Sequence, residues 1–418
     1  MTRNELLSLV RSKMADRPKT LRMFENCFND TLENTIRFQE NGEVFMLTGD
    51  IPAMWLRDST NQLRPYLLTA DRDEKVAVII EGVMKKQIRS ILRDPYANAF
   101  NECDNHRGHQ TDKTAMRPFI WERKYEIDSL CYPFQLAYLY YKNTGRTHHF
   151  DSEFLKAAGV TMALWKLEQD HVKNSRYTFE RFDCPETDTL PHEGKGNPVA
   201  VTGMTWSGFR PSDDACVYGY LVPSNMFAVT VLNYLEEIFT KIYNDKALAE
   251  EARALRKDIQ QGIEDFAVGP DGAYIYETDG LGNTLFMDDA NVPSLLSMPY
   301  FGYCRKEDVR YLTTRQKILS EANPYYYEGT FAKGIGSPHT PENYIWHIAL
   351  AIQGLTSCDE AEKQYLLDVF EKTDAGTNAV HEGFHKDDPT QFTRPWFSWA
   401  NAVYSEFILS LCGVEVKV

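Results

Sequence analysis

Two kinds of helical segment alternate along this 418-residue chain, and this alternation constrains its fold more than any other feature. In 246–266, apolar side chains recur every three or four residues between charged and amide side chains. That period predicts a helix with one buried face. The segments with the same pattern lie at about 20–38, 72–93, 151–170, 306–321 and 359–373. Six half-exposed helices are therefore predicted.

The segments between these helices are apolar on nearly every face. The clearest spans 224–240, and the others lie at about 59–70, 128–143, 293–303, 342–356 and 396–412. A helix that is apolar all round must be buried all round. Six buried helices alternating with six half-exposed ones predict an all-α fold, an (α/α)6 barrel with six inner and six outer helices.

The connecting loops are predicted to contain small β-hairpins, with strand pieces at 43–48 and 273–278. We find no linker rich in Pro or Ser, so we expect one catalytic domain over 1–418. An all-α arrangement of two domains is the alternative.

The formal net charge of −15 excludes several kinds of partner. A negative surface repels phosphate backbones and anionic lipid, so neither nucleic acid nor a membrane is expected to bind. The first residues carry charges where a signal peptide would be apolar, and the eight cysteines are scattered without metal-like spacing. These features predict a cytoplasmic protein with free thiols.

In such a barrel, the loops that lead into the inner helices meet at one end. Three of these loops, within 49–59, 121–129 and 205–214, repeat the combination of Trp, Arg and an acidic residue. Aromatic faces and planar polar groups suit sugars, although each residue alone could serve as a helix cap or an ion-pair partner. The candidate substrate-binding residues are Trp55, Arg57, Asp58, Glu122, Asp128, Trp206, Arg210, His381, Trp396 and Trp399.

Three carboxylates in these loops are candidates for catalysis. Glycoside hydrolysis needs one carboxylic acid to protonate the leaving oxygen and one carboxylate to activate water or attack the sugar. Asp213 and Asp214 are adjacent, and like charges raise the pKa of one member of a pair. Glu382, in a turn between His381 and Gly383, is the candidate base. Spacing does not decide which aspartate is the acid.

Metal and cofactor sites are not predicted. His106 with His109, and Asp288 and Asp289 with Asn291, are the nearest approaches to ligand sets, but no established metal spacing is present. No glycine-rich phosphate loop and no Gly-x-Ser-x-Gly motif occurs.

Long motifs identify a family resemblance. The stretches GDIPAMWLRDS (49–59), IWERKYEIDSLCYP (120–133) and TGMTWSGFRPSDD (202–214) closely resemble the metal-independent exo-α-1,6-mannosidases of glycoside hydrolase family 125. The stretches 223–229, 381–385 and 396–401 continue the match, which runs from about residue 20 to 410.

The resemblance implies an (α/α)6 barrel that removes non-reducing terminal α-1,6-linked mannose from mannosides and oligosaccharides derived from N-glycans, with inversion and without a metal. It also implies that an Asp of the 213/214 pair is the general acid and that Glu382 is the general base. Within the pair we favour Asp213 as the acid and Asp214 as a sugar-binding neighbour.

Two other functions are compatible with the sequence. A sugar epimerase or isomerase on the same scaffold would recruit histidines such as His339, His347 and His381. A carbohydrate-binding protein without catalysis would need the Trp and Arg loops alone. The sequence does not fix the oligomeric state.

Overall fold

The computed structural model describes residues 1–417, and these are mainly helical. The helices are α1 (Arg3–Lys13), α2 (Pro18–Asp30), α3 (Leu56–Leu63), α4 (Glu74–Arg93), α5 (Ile127–Thr144), α6 (Ser152–Glu168), α7 (His171–Asn174), α8 (Pro191–Gly194), α9 (Val222–Ile238), α10 (Lys246–Phe266), α11 (Val309–Ile318), α12 (His347–Leu355), α13 (Glu360–Thr373) and α14 (Ser398–Leu411). Short 3-10 or π turns cover Thr31–Thr35, Arg64–Leu68, Glu186–Asp188 and Phe239–Tyr243.

The two predicted kinds of helix begin differently. Five half-exposed helices, α4, α6, α10, α11 and α13, each follow an aspartate whose carboxylate accepts N–H bonds from the first turn. The buried helices α3, α5, α9, α12 and α14 have no such side-chain cap and follow an extended residue. The buried helices therefore begin directly from strands or loops, and those segments carry the predicted site.

One predicted inner helix is wrong. Residues 293–303 form turns instead of a helix, although Leu295, Leu296 and Phe301 are buried as predicted. Pro299 lies in the middle of these turns, and it lacks the donor N–H that a continuous helix would use there. The segment packs through Phe301 against Phe227 of α9, with ring centroids 5.1 Å apart.

The buried helices are neighbours in the order α9, α5, α3, α14 and α12, and half-exposed helices pack outside them. Thus α10 contacts α9, α2 contacts α14, and α13 contacts α12. Most buried apolar side chains form one continuous cluster that reaches from Leu6 to Cys412. No helix within residues 1–417 is both long and apolar enough to cross a membrane.

Small antiparallel sheets gather the loops that lead into the buried helices. The strands are β1 (Ile36–Phe38) with β2 (Val44–Met46); β3 (Met54–Trp55), β4 (Ala99–Phe100) and β5 (Ile120–Glu122); β6 (Tyr220–Leu221), β7 (Glu277–Thr278) and β8 (Thr284–Leu285); β9 (Tyr326–Glu328) with β10 (Lys333–Ile335); and β11 (Tyr344–Trp346), β12 (Gly383–His385) and β13 (Asp388–Phe392). Strands β3, β6 and β11 run directly into α3, α9 and α12. Both predicted strand pieces contain a strand, β2 and β7.

A backbone bridge joins the first of these loops to the last. Gly49 pairs with Phe397, and Asp50 N donates to Trp396 O at 3.3 Å. Gly49 has φ +142°, and a Cβ there would lie 2.6 Å from Trp396 O. Only glycine allows this approach of the two chains.

Candidate active site

A cavity of about 320 Å³ opens where the buried helices begin. Its walls come from the loops before α3, α12 and α14, and from the turn around residue 213. The lining residues are Thr48, Ile51, Trp55, Arg57, Asp58, Pro211, Ser212, Asp213, Asn291, His339, Thr340, Pro341, Trp346, Glu382, Thr393, Arg394, Phe397 and Trp399. Segments far apart in the chain thus meet around one small space.

Six of the predicted site residues line this cavity, and seven do not. Those that line it are Trp55, Arg57, Asp58, Asp213, Glu382 and Trp399. Those outside its lining are Glu122, Asp128, Trp206, Arg210, Asp214, His381 and Trp396. The cavity therefore holds one aspartate of the adjacent pair, the isolated glutamate and three indole rings, of which Trp346 was not predicted.

The guanidinium of Arg57 organises one wall of the cavity. Its Nη1 donates to Glu126 at 2.7 Å and to Asp128 at 3.2 Å, while its Nη2 donates to Asp213 at 3.3 Å. Asp58 lies 3.6 Å from Nε. One buried cation is thus surrounded by four carboxylates, which makes this wall strongly electronegative.

Burial raises the pKa values of these carboxylates, and the positive charge of Arg57 lowers them. Burial raises the pKa of Asp58 and of Asp128 to about 6 in each case, against the attraction of Arg57. Burial also raises the pKa of Glu126 well above its ordinary value. At Asp213 burial is outweighed by Arg57 and by a hydrogen bond with Glu126, which hold its pKa well below the usual range.

The two adjacent aspartates face different surroundings. Asp213 has φ +69°, and its side chain is 24% exposed to the cavity. The side chain of Asp214 is 3% exposed, accepts a bond from Ser212 Oγ at 2.7 Å and lies 3.8 Å from His339 Nδ1. The left-handed turn at Asp213 is therefore what points the two carboxylates in different directions.

Glu382 lies on the wall formed by the last loops. Its backbone oxygen accepts the N–H of His347, the first residue of α12, at 3.3 Å. Arg394 Nη1 is 3.7 Å from the Glu382 carboxylate, and Arg394 is held by Asp50 through bonds of 3.0 and 2.5 Å. Burial raises the pKa of Glu382, and the charge of Arg394 opposes that rise.

Replacing Arg394 by Gln is expected to move the acidic limb of the pH–activity profile upward by about 1 unit. Without this cation the pKa of Glu382 rises further, so protonation removes the carboxylate at a higher pH. Steady-state kcat/KM from pH 4 to 8 measures the shift. Arg315→Gln, which removes an arginine bonded to Glu362 at 2.8 Å, is the matched control and should leave the profile unchanged. An unmoved acidic limb in Arg394→Gln would show that this arginine does not tune Glu382.

The predicted residues outside the cavity have other partners. Trp206 is buried and stacks on His171 with ring centroids 3.6 Å apart, and Arg210 donates to Glu277 at 2.5 Å. His381 stacks on Phe392 at 3.9 Å. Trp396 Nε1 donates to Asp30 at 2.9 Å. These four side chains pack the loops around the cavity.

The remaining two acidic residues lie behind the Arg57 wall. Glu122 accepts bonds from Asn98 at 3.0 Å and from Arg181 at 2.8 Å. Asp128 accepts from Arg57. Both carboxylates are buried in ion pairs that support the wall without lining the cavity.

Sequence reasoning overlooked several side chains at this site. Asp50, Glu126 and Arg394 belong to the loops that it singled out, and their charges were the available signal. His339 was considered only for an epimerase, and Asn98 offered no signal because it is an uncharged residue in an unremarked loop.

His339 is the single cavity-lining histidine among those considered for an epimerase. Its surroundings are anionic. Burial lowers the pKa of His339, but the hydrogen bond and the charge of Asp214 outweigh burial and raise this pKa to about 9. Both ring nitrogens of His347 have partners in His381 O and Thr373 Oγ1. The histidines therefore do not form an acid–base pair across the cavity.

No group of three or more His, Cys, Asp or Glu side chains within residues 1–417 is arranged to hold a metal ion. A mainly helical scaffold whose loops enclose carboxylates and indole rings in one cavity is typical of a glycoside hydrolase.

Comparison with known proteins agrees with this class. The family model of the metal-independent alpha-mannosidases, GH125, matches residues 17–409. The chain therefore belongs to the GH125 family of metal-independent alpha-mannosidases, and the protein is an exo-acting alpha-mannosidase. Family membership removes the non-catalytic carbohydrate-binding alternative.

Individual relatives support the assignment over nearly the whole chain. The Meiotically up-regulated gene 157 protein of Schizosaccharomyces pombe is 38% identical, over 93% of this chain and 82% of that protein. A solved Streptococcus pneumoniae metal-independent alpha-mannosidase, in a non-productive substrate complex with alpha-1,6-mannobiose, is 51% identical with a TM-score of 0.96. That match covers 99% of this chain and 98% of the other. A bacterial glucoamylase complexed with acarbose shares the fold alone, with 12% identity and a TM-score of 0.58, over 87% of this chain and 49% of that one.

Proposed function

We propose that the protein releases non-reducing terminal α-1,6-linked mannose from mannosides and oligosaccharides derived from N-glycans, with inversion of the anomeric carbon. The observation that carries this proposal is one cavity lined by both Asp213 and Glu382, which come from loops far apart in the chain. The S. pneumoniae relative, solved with alpha-1,6-mannobiose, supports the linkage.

In this mechanism Asp213 is the general acid and Glu382 is the general base. Asp213 gives a proton to the glycosidic oxygen as the bond from that oxygen to the anomeric carbon breaks. Glu382 takes a proton from a water molecule that attacks the opposite face of the carbon. The carboxylates around Arg57 stabilise the positive charge that develops on the sugar ring.

Substrate is held by groups with the geometry of a sugar. Trp55 and Trp399 supply ring faces for C–H patches, and Asp58 with Arg57 supplies planar groups for neighbouring hydroxyls. We assign the other predicted binding residues, such as Trp206 and Arg210, to the support of these loops, because their side chains bond or stack elsewhere.

We also propose that the buried helices and the segment 293–303 close into the inner ring of an (α/α)6 barrel that forms a single catalytic domain over 1–418. The continuous core and the packing of Phe301 on α9 support this closure.

We propose a cytoplasmic location, which suits the eight free cysteines. Small oligosaccharides are the expected partners.

The test is a panel of α-1,2-, α-1,3-, α-1,4- and α-1,6-linked mannobiosides, with the released sugar followed by NMR from the first turnover. We expect hydrolysis of the 1,6-linked compound and β-mannose as the first product. Release of α-mannose would overturn inversion, and preference for another linkage would overturn the substrate assignment.

A further inference from the structure

Glu126 lies directly behind Asp213, outside the cavity. Glu126 is 1% exposed, and its carboxyl group is within hydrogen-bonding reach of that of Asp213. Its Oε2 already accepts from Arg57 Nη1 at 2.7 Å and from Ser129 Oγ at 2.6 Å. Its Oε1 accepts from Asn98 Nδ2 at 3.2 Å, and the same nitrogen lies 3.2 Å from Asp213 Oδ1.

The amide of Asn98 has too few hydrogens for the acceptors around it. Nδ2 lies 3.0 Å from Glu122 Oε2, 3.2 Å from Glu126 Oε1 and 3.2 Å from Asp213 Oδ1. The amide cannot be reversed, because Asn98 Oδ1 accepts the N–H of Lys124. An amide nitrogen carries two hydrogens, so it cannot satisfy three carboxylate oxygens at once.

The charges around Arg57 also indicate that one of the buried carboxyl groups keeps a proton. Asp58, Glu126, Asp128 and Asp213 lie within 3.6 Å of Arg57, so the group would carry a net charge of −3 if all were ionised. Burying that excess charge is far more costly than keeping a proton on one carboxyl. Among the four, Glu126 and Asp213 are the two whose oxygens compete for one donor, because Asn98 Nδ2 lies 3.2 Å from Glu126 Oε1 and 3.2 Å from Asp213 Oδ1.

We propose that Glu126 is the positioning residue that holds the proton of Asp213, so that the two carboxyl groups share one proton between Glu126 Oε1 and Asp213 Oδ1. This inference rests on the proposed function, because it concerns the general acid of the same site. It also resolves a difficulty, since Arg57 alone would keep Asp213 ionised and unable to protonate a leaving group.

In the resting enzyme the proton lies on Glu126 Oε1 and points at Asp213. When the glycosidic oxygen occupies the cavity, the proton crosses to Asp213 and then to that oxygen, which keeps the electron pair of the broken bond. The pair is left without a proton, and solvent returns one through the cavity, where Asp213 is the accessible member.

Other ionisable groups face this pair and enter its titration. They are Arg57 and Asp58 on α3, Glu122 at the end of β5, Lys124 between β5 and α5, Asp128 on α5, Tyr177, Asp188, Asp214, Cys216 and His339. Of the cations, Lys124 binds the backbone oxygen of Asp213 at 2.7 Å and also pairs with Asp188. None of these groups bridges Oε1 of Glu126 to Asp213.

The experiment compares Glu126→Gln, Glu126→Asp and wild type. Each is assayed over pH 4–9 on α-1,6-mannobiose and on an α-mannoside with a dinitrophenolate leaving group. Glutamine keeps the shape but cannot hold the proton. We expect the basic limb of kcat/KM for mannobiose to move to lower pH by about 1 unit or more, which is a tenfold loss or more above that limb. The dinitrophenyl substrate needs no proton and should be hydrolysed almost as well as by wild type.

Glu126→Asp retains a carboxyl and should restore the basic limb toward the wild-type position. Glu406→Gln is the matched control, because Glu406 is also buried and accepts from an arginine and a hydroxyl, Arg64 and Tyr300, but lines a different cavity. Its pH profile should be that of wild type. Thermal melting of every variant reports folding.

Two results would overturn the inference. One is a Glu126→Gln enzyme whose basic limb stays at the wild-type pH. The other is an equal loss on both substrates in Glu126→Gln and Glu126→Asp, which would indicate a structural role. Failure of wild type to hydrolyse the mannobiose would instead overturn the proposed function, so the two failures are distinguishable.

Discussion

Replacing Glu382 by Gln is expected to lower kcat on α-1,6-mannobiose by about 10²–10⁴-fold with little change in KM, which is the usual contribution of a general base. Glutamine has the size of glutamate but cannot accept a proton from water. Glu382 is buried on the wall formed by the last loops, and it is the one glutamate among the residues that line the cavity. Steady-state kinetics at the pH optimum, with thermal melting to confirm folding, makes the measurement.

A small anionic nucleophile provides the control for this variant. Azide needs no base, so it should restore cleavage of an activated mannoside by Glu382→Gln and yield the β-mannosyl azide. Wild-type turnover of mannobiose in the variant would remove Glu382 from the mechanism. An α-mannosyl azide would contradict attack from the face opposite the leaving group.

Replacing Asp213 by Asn should have an effect of similar size that depends on the leaving group. We expect a loss of about 10²–10⁴-fold on mannobiose, because asparagine cannot donate the proton that the departing sugar oxygen needs. The loss should be much smaller with a dinitrophenolate leaving group, which departs as an anion. Comparing kcat/KM for the two substrates gives the measurement.

Asp214→Asn, at the adjacent aspartate, is the matched control variant for this test. Asp214 is bonded to Ser212, lies 3.8 Å from His339 and is not among the residues that line the cavity, so its replacement should affect both substrates alike. If the leaving-group dependence followed Asp214 instead of Asp213, the acid would have to be reassigned to Asp214.

The periodicity of apolar residues in the sequence predicted most of the helices. A helix buried on one face has apolar residues every three or four positions, whereas a helix buried on all faces is apolar throughout. The half-exposed helix 246–266 has the predicted bounds in the structure. The prediction failed at 293–303, where polarity was right but the chain forms turns around Pro299. A buried turn and a buried helix have the same apolar composition, so polarity alone could not separate them.

The loops of the site were predictable, but the role of each residue was less so. Trp206 and Arg210 lie in a motif with Asp213, yet they stack on His171 and pair with Glu277. Adjacent residues in a loop point in different directions, and only the backbone turn at Asp213 decides which one faces the cavity. Asn98 could not be found at all, because its importance comes from three carboxylates that only the folded chain brings together.

The bridge between Gly49 and Phe397 has a consequence for synthesis of the protein. Asp50 and Arg394 are 344 positions apart, and Glu382, the proposed base, belongs to the later of these segments. Closing contacts of such long separation is slow, because the loop-closure entropy must be overcome first. A ribosome-bound chain is therefore expected to have no hydrolytic activity until almost all of it has emerged. Recovery of mannosidase turnover after dilution from denaturant should then report when the two segments have met.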